Sequence, residues 1–192
     1  MRKWNVIVMV LAIVLIALPA IAEEQTQDEK KEAEAAERRA EIDKVAGETL
    51  DRLMEESEKA KGLWDKAVAY AVFDNLKIAF ILSGGGGAGV AVDKGSEART
   101  YMKMGTGGIG VGIGGQKYQA VFLFEDKETF TNFVENGWKA ESGANAAGGT
   151  AGANVGTAFT NGMAVYQFTE AGLMAAADIV GTKFWPDKKL NK

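Results

Sequence analysis

The chain contains no cysteine and no histidine, and only two prolines in 192 residues. Without cysteine there is neither a disulfide framework nor a thiol nucleophile. Without histidine, Ser-His-Asp and Cys-His catalysis and the usual His or Cys zinc sites are excluded too. A hydrolase would have to work with carboxylates, lysine or tyrosine alone. Basic charge is also short, with 22 Lys and Arg against 26 Asp and Glu and a formal net charge of −4. Such a chain lacks the phosphate-neutralising charge on which non-specific nucleic-acid binding rests, so no nucleic-acid partner is expected. Glycine, by contrast, is plentiful at 24 residues. So much glycine with so little proline argues for glycine used inside ordered structure, not for a disordered linker.

The N-terminus reads as an address. Arg2 and Lys3 precede an unbroken apolar run from Val6 to Leu18, and Pro19 is followed by Ala20-Ile21-Ala22. A basic start, an apolar core and a small-residue cleavage site are the three parts of a secretory signal peptide. The run is short for a membrane span. Residues 1–22 are therefore expected to be removed after Ala22 and the protein exported to the periplasm or the cell exterior. Their removal takes away two basic residues and no acid, leaving a formal charge of −6.

The remainder divides in two. Glu23 to Lys61 carries 14 acids and 8 bases, whereas Gly62 to Lys192 carries 12 of each. Residues 23–40 are rich in Glu, Lys and Ala with almost nothing large and apolar, which suits a solvated helix or a disordered lead-in. From Glu41, residues Ile42, Val45, Thr49, Leu50, Leu53 and Met54 recur at helical spacing, so an amphipathic helix is expected. Its stripe is either packed on its own domain or laid on a membrane, with Ile42, Val45, Leu50, Leu53 and Met54 as the membrane contacts. The acidic polar face opposes attraction to anionic lipid and favours packing.

Beyond Lys66 the period becomes two. Leu76 to Leu82, Val90 to Val92, Ile109 to Ile113 and Tyr118 to Phe124 read as strands, and Asp93-Lys94-Gly95 as a turn. Ile109, Val111 and Ile113 alternate with Gly110, Gly112 and Gly114, a strand with one bulky face and one of bare backbone. Repeated strand glycine calls for a close neighbour, a bend or a ligand that approaches the main chain. Asp126 can cap a short helix that turns Phe130, Phe133 and Val134 inward, with Gly137 ending it. Asn161-Gly162 is a two-residue hairpin signal between Val155–Thr160 and Met163–Phe168. The expected class is α+β: a glycine-rich antiparallel sheet or small barrel with a short helix, preceded by an N-terminal amphipathic helix.

Catalytic and cofactor motifs fail on context. G-x-G-x-x-G occurs at Gly84/Gly86/Gly89, at Gly105/Gly107/Gly110 and at Gly110/Gly112/Gly115. A dinucleotide site needs a helix after the glycines. Val90-Ala91-Val92 and a turn follow instead, so no nucleotide and no cofactor are expected. No G-K-[ST] is present, and Gly148, Gly152 and Gly156 lack the apolar surroundings of a membrane-helix motif. The adjacent Glu125 and Asp126 sit where a helix begins. No catalytic constellation and no metal site emerge, and no enzymatic activity is expected.

The run Lys77-Ile78-Ala79-Phe80-Ile81-Leu82-Ser83-Gly84-Gly85-Gly86-Gly87-Ala88-Gly89-Val90 resembles the opening signature of the SYLF domain. Ala69 to Phe73 is similar to the family's apolar lead. Gly105–Gly115 with Val121–Phe124 is similar to its second glycine-rich strand and the strand after it. Phe168 to Ala175, with Gly181, resembles its closing element, which implies a turn plus strand there, not a helix. The resemblance spans about Lys61 to Phe184. It implies a lipid-binding domain, with phosphoinositide and actin association in eukaryotic members. Asp74 departs from the Pro that often follows the Phe, Val180 from a usual Glu, and Gly85 from a common basic or aromatic residue. Lipid binding is therefore carried over, and a particular headgroup is not.

The resulting organisation is a signal peptide at 1–22, a charged lead-in at 23–40, a SYLF-like domain at 41–184 and a tail at 185–192. The expected ligand is a phospholipid or other lipid, met by Lys77, Phe80, Gly84, Gly85, Gly86, Gly87 and Gly89. The rival reading is a structural or protein-interaction module of the cell envelope with an envelope protein partner.

Overall fold

A computed structural model of the chain describes residues 4–79, 82–109, 114–139, 158–169, 172–175 and 182–192. The chain forms two compact units, Met1–Arg38 and Arg39–Lys192. Helix α1 (Trp4–Glu56) supplies the first unit and opens the second. In the first unit the side chains from Gln27 to Arg38 are exposed apart from half-buried Ala35, as a charged solvated helix requires.

The second unit holds α2 (Glu58–Trp64), β1 (Ala69–Ala79), β2 (Leu82–Asp93), β3 (Arg99–Ile109) and β4 (Gly114–Phe124). After these come α3 (Lys127–Glu135), β5 (Trp138–Lys139), β6 (Met163–Thr169), β7 (Gly172–Ala175) and β8 (Thr182–Pro186). All strand pairs among the described residues are antiparallel. Among the described residues the sheet runs β5-β8-β3-β2-β1-β4-β6-β7, an open order that makes it a sheet and not a barrel. The class is α+β, as the residue pattern indicates.

Each strand puts alternate residues on opposite faces. One face carries Phe73, Phe122, Phe124 and Phe184 under α3, and all four are fully buried. Phe133 of α3 lies 5.1 to 6.2 Å from these rings, and Phe73 and Phe184 meet edge to face at 4.7 Å. Such ring pairs add about 0.5–1.5 kcal/mol each beyond their buried area. Asp126 caps α3 as expected, its carboxylate accepting from the Thr129 N–H at 2.7 Å. Gly137 follows the helix at φ 69, the left-handed position that favours glycine.

The opposite face is covered by α1 from Arg39 onward and by α2. The cross-strand row Tyr166, Val121, Val72, Val90 and Tyr101 is buried there. Asp43 of α1 accepts from the Tyr101 hydroxyl at 2.9 Å and pairs with Arg99 at 3.0 Å. Arg52 stacks on the Phe168 ring at 4.3 Å. Ile42, Ala46, Thr49 and Leu53 are buried, whereas Val45, Leu50 and Met54 are half-buried. The helical stripe thus packs Ile42 and Leu53 into the domain.

Turn chemistry follows the sequence. Asp93 Oδ1 accepts from Gly95 and Ser96 N–H at 2.9 and 3.0 Å, and its other oxygen pairs with Lys127 at the start of α3. Asn161 and Gly162 both take positive φ, as the Asn-Gly turn requires. The expected strands at Gly110–Ile113 and Val155–Thr157 lie outside the described residues. Residues 172–175 are strand, in line with the turn-plus-strand implication. The segment after residue 184 is anchored: β8 reaches Pro186, and Asp187 and Leu190 are buried.

Candidate functional site

The helices cover only part of their face. Moving along the strands from the buried Val72 row, the next row on that face is Phe168, Gln119, Asp74, Ala88, Lys103 and Trp185. Cover ends within this row. Phe168 is shielded by Arg52, while Asp74 and Trp185 are exposed. Trp185, at 36%, is the one exposed large hydrophobic residue among those described.

One row further, Lys117, Leu76, Gly86, Gly105, Lys183 and Lys139 are in register across six strands. Beyond that, Gly115, Ile78, Gly84 and Gly107 align. Lys117, Gly86 and Lys183 are exposed. Gly86 therefore exposes main chain where other sheets expose side chains.

The structure divides the glycines that the sequence groups together. A Cβ on Gly89 would strike the Val72 carbonyl oxygen and stand 2.5 Å from Phe73 Cδ1. One on Gly87 would strike the Asp74 carbonyl oxygen and stand 2.9 Å from Asn75 Cα. These two are bare because the neighbouring strand and the Phe73 ring fill their space, and Gly89 is buried. Gly86 differs: its nearest neighbour would be the Met104 carbonyl oxygen at 3.7 Å. Gly85 belongs to another row, with Gln116, Lys77, Thr106 and Thr182. Lys77 is thus in register with Gly85 and not with exposed Gly86. Phe80 lies outside the described residues.

Electrostatics separates the lysines. Lys103 is neutralised by Asp187 at 3.0 Å. The Asp187 carboxyl is partly buried, which by itself raises its pKa, but Lys189 N–H and Lys103 outweigh this and hold it below the usual range. Lys117 and Lys183 have no ion-pair partner among the described residues. On the aromatic face, Asn75 is 2% and Gln167 5% exposed, and Asn75 Oδ1 and Nδ2 and Gln167 Oε1 lack hydrogen-bond partners among the described residues. Among the described residues no three acidic side chains gather closely enough to hold a metal ion.

Trp185, Lys117 and Lys183 were not among the residues singled out from sequence. The usable signal was the alternation of Thr182 and Phe184 with Lys183 and Trp185, which marks a half-buried strand.

Comparison with known proteins adds two findings. Residues 105–192 match the family model Ysc84, described as Las17-binding protein actin regulator. The chain is also similar to beta cell expansion factor A of Aeromonas veronii, 45% identical over 158 residues. That match covers 82% of this chain and 60% of the relative, so the chain spans about three fifths of that protein's length.

Proposed function

The chain carries a domain of the SYLF (Ysc84) family, a family of lipid-binding domains, and from that premise we propose that it is itself an exported, non-enzymatic lipid-binding protein. The observation that carries this reading is the exposed stretch of the sheet face beyond the Val72 row among the described residues. It joins exposed main chain at Gly86 to exposed Trp185. Where glycine removes the side chain, as at exposed Gly86, a membrane or a lipid can approach the backbone closely. The buried position of Ile42 and Leu53 supports this surface over the α1 stripe as the contact.

The family description names Las17 binding and actin regulation, and the relative's name speaks of beta-cell expansion. Neither activity is proposed for this chain. Export is supported by the Arg2-Lys3 start, the Val6–Leu18 run and Ala20-Ile21-Ala22. Intact-mass measurement of the accumulated protein checks it, with Glu23 expected as the first residue.

Co-sedimentation with phospholipid vesicles at low salt tests lipid binding. The protein should partition with at least one composition, and no binding to any would overturn the reading. A second reading, a protein-interaction module of the envelope, is favoured by the exposed charged helix from Gln27 to Arg38. Under that reading, deleting residues 23–39 abolishes partner capture and leaves vesicle binding untouched.

A further inference from the structure

The bare half-face has a charge pattern of its own, and the inference drawn from it rests on the lipid-binding reading above. Its glycines alone name no occupant, but the residues that bracket them do. Among the described side chains, three lysines (Lys103, Lys117 and Lys183) and one acid, Asp74, occupy its first two rows. Lys103 is spoken for by Asp187 at 3.0 Å, whereas Lys117 and Lys183 are exposed without an ion-pair partner among the described residues. This is a local excess of positive charge on a chain whose net charge is −4.

Lys117 and Lys183 stand four strand spacings apart, about 19 Å. That is too far for one small anion to bridge and suits a surface that presents many phosphates. Between them lie Leu76, Gly86 and Gly105. The Trp185 indole lies against Gly105, where an added Cβ would stand 2.9 Å from the ring. Gly105, having no side chain, thus leaves room for the tryptophan ring against the sheet. Tryptophan settles at the headgroup level of a bilayer, and each lysine near an anionic leaflet adds attraction that salt screens.

We propose that this half-face, bounded by Lys117, Lys183 and Trp185, docks on a membrane surface containing anionic phospholipid. Trp185 enters the headgroup region, and the two lysines meet lipid phosphates.

The test uses the protein as recovered from expressing cells, with its N-terminus read by mass. It is titrated with vesicles of phosphatidylcholine alone and of phosphatidylcholine containing phosphatidylglycerol. Binding should need phosphatidylglycerol and weaken as salt rises. Lys117→Gln/Lys183→Gln should lose about 30-fold in affinity, about fivefold per lysine. The control Lys59→Gln/Lys66→Gln removes the same charge in and beside α2 and should bind like wild type. Vesicles should shift the tryptophan emission of wild type to the blue, and the shift should largely vanish in Trp185→Phe. Circular dichroism should show all variants folded. Equal binding to both vesicle types, an unaffected Lys117/Lys183 variant or an equally weakened control overturns this surface while lipid binding stands. Failure of wild type to bind either vesicle overturns the surface, and the lipid-binding reading falls with it only if no composition in the co-sedimentation series binds.

Discussion

The side-chain amide of Asn191 hydrogen-bonds both main-chain groups of Tyr101, 90 residues earlier in the chain: the Tyr101 N–H donates to Asn191 Oδ1 at 2.8 Å, and Asn191 Nδ2 donates to the Tyr101 carbonyl at 2.7 Å. One side chain thereby replaces the next rung of the β3–β8 ladder, which ends at Met102 and Pro186. The same carbonyl also accepts from Asp187 N–H at 2.9 Å, and Arg39 of α1 donates to the Leu190 carbonyl at 3.1 Å. Asn191→Ala leaves the Tyr101 N–H without this acceptor. It should lower stability by about 1–3 kcal/mol in urea titration. A change within error would mean that the Asn191 side chain contributes nothing to holding β3.

Gly89 and Gly86 should respond oppositely to the same substitution. Gly89→Ala drives a methyl group into β1 and the Phe73 ring, and overpacking of this kind costs about 1–3 kcal/mol or more. Gly86→Ala meets only a carbonyl oxygen at 3.7 Å and should be neutral or gain up to about 1 kcal/mol. Thermal melts of the two single variants decide, and equal losses would erase the distinction between a packed and an open glycine.

Acid should weaken the tie between the β2–β3 turn and α3. The Lys127 ammonium, and then the Ser96 N–H, hold the Asp93 carboxyl down from 3.8 to about 2. The folded pKa lies below the unfolded one. The contribution is therefore complete above about pH 4 and lost as pH falls through about 2. Asp93→Asn should be less stable than wild type at neutral pH and lose less melting temperature over that acid interval. A variant with the full wild-type acid slope would refute the assignment.

Leu53 is fully buried and Leu50 only half so, on the same helix. Leu53→Ala should cost about 2–5 kcal/mol, and Leu50→Ala distinctly less. Denaturant midpoints measure both. Two small, equal losses would mean that α1 does not pack its stripe on the sheet.

Asn75 is buried with both amide atoms unpartnered among the described residues. Replacing an unsatisfied amide by a near-isosteric apolar group removes its desolvation cost, so Asn75→Leu should raise stability by about 1–3 kcal/mol. A loss in the melt would show that an ordered water or a bound molecule satisfies the amide.

Much of the domain is local chemistry that can be read along the chain. Asp126 caps because its carboxylate reaches the N–H three residues on. Asn161-Gly162 turns because both residues tolerate positive φ. Alternation in Met102 to Gly105 and Tyr118 to Phe124 announces strands with two unlike faces, and helical spacing from Ile42 to Leu53 announces an amphipathic helix. Each of these preferences acts within a few residues, so the residues themselves suffice.

The candidate surface is different, because period two says that a strand has two faces and not which one is covered. Gly86 and Gly87 are adjacent and chemically identical, yet one is open and the other is wedged against β1. The cause is the register of β2 on β1 and the point where helical cover ends. Lys117 and Lys183 lie 66 positions apart in sequence and reach one row only because β4 pairs with β1, and β8 inserts beside β3. Those pairings are set by which buried faces fit together across the whole sheet. Local sequence determined the elements and their faces; long-range packing decided which bare backbone met solvent and which lysines and tryptophan came to surround it.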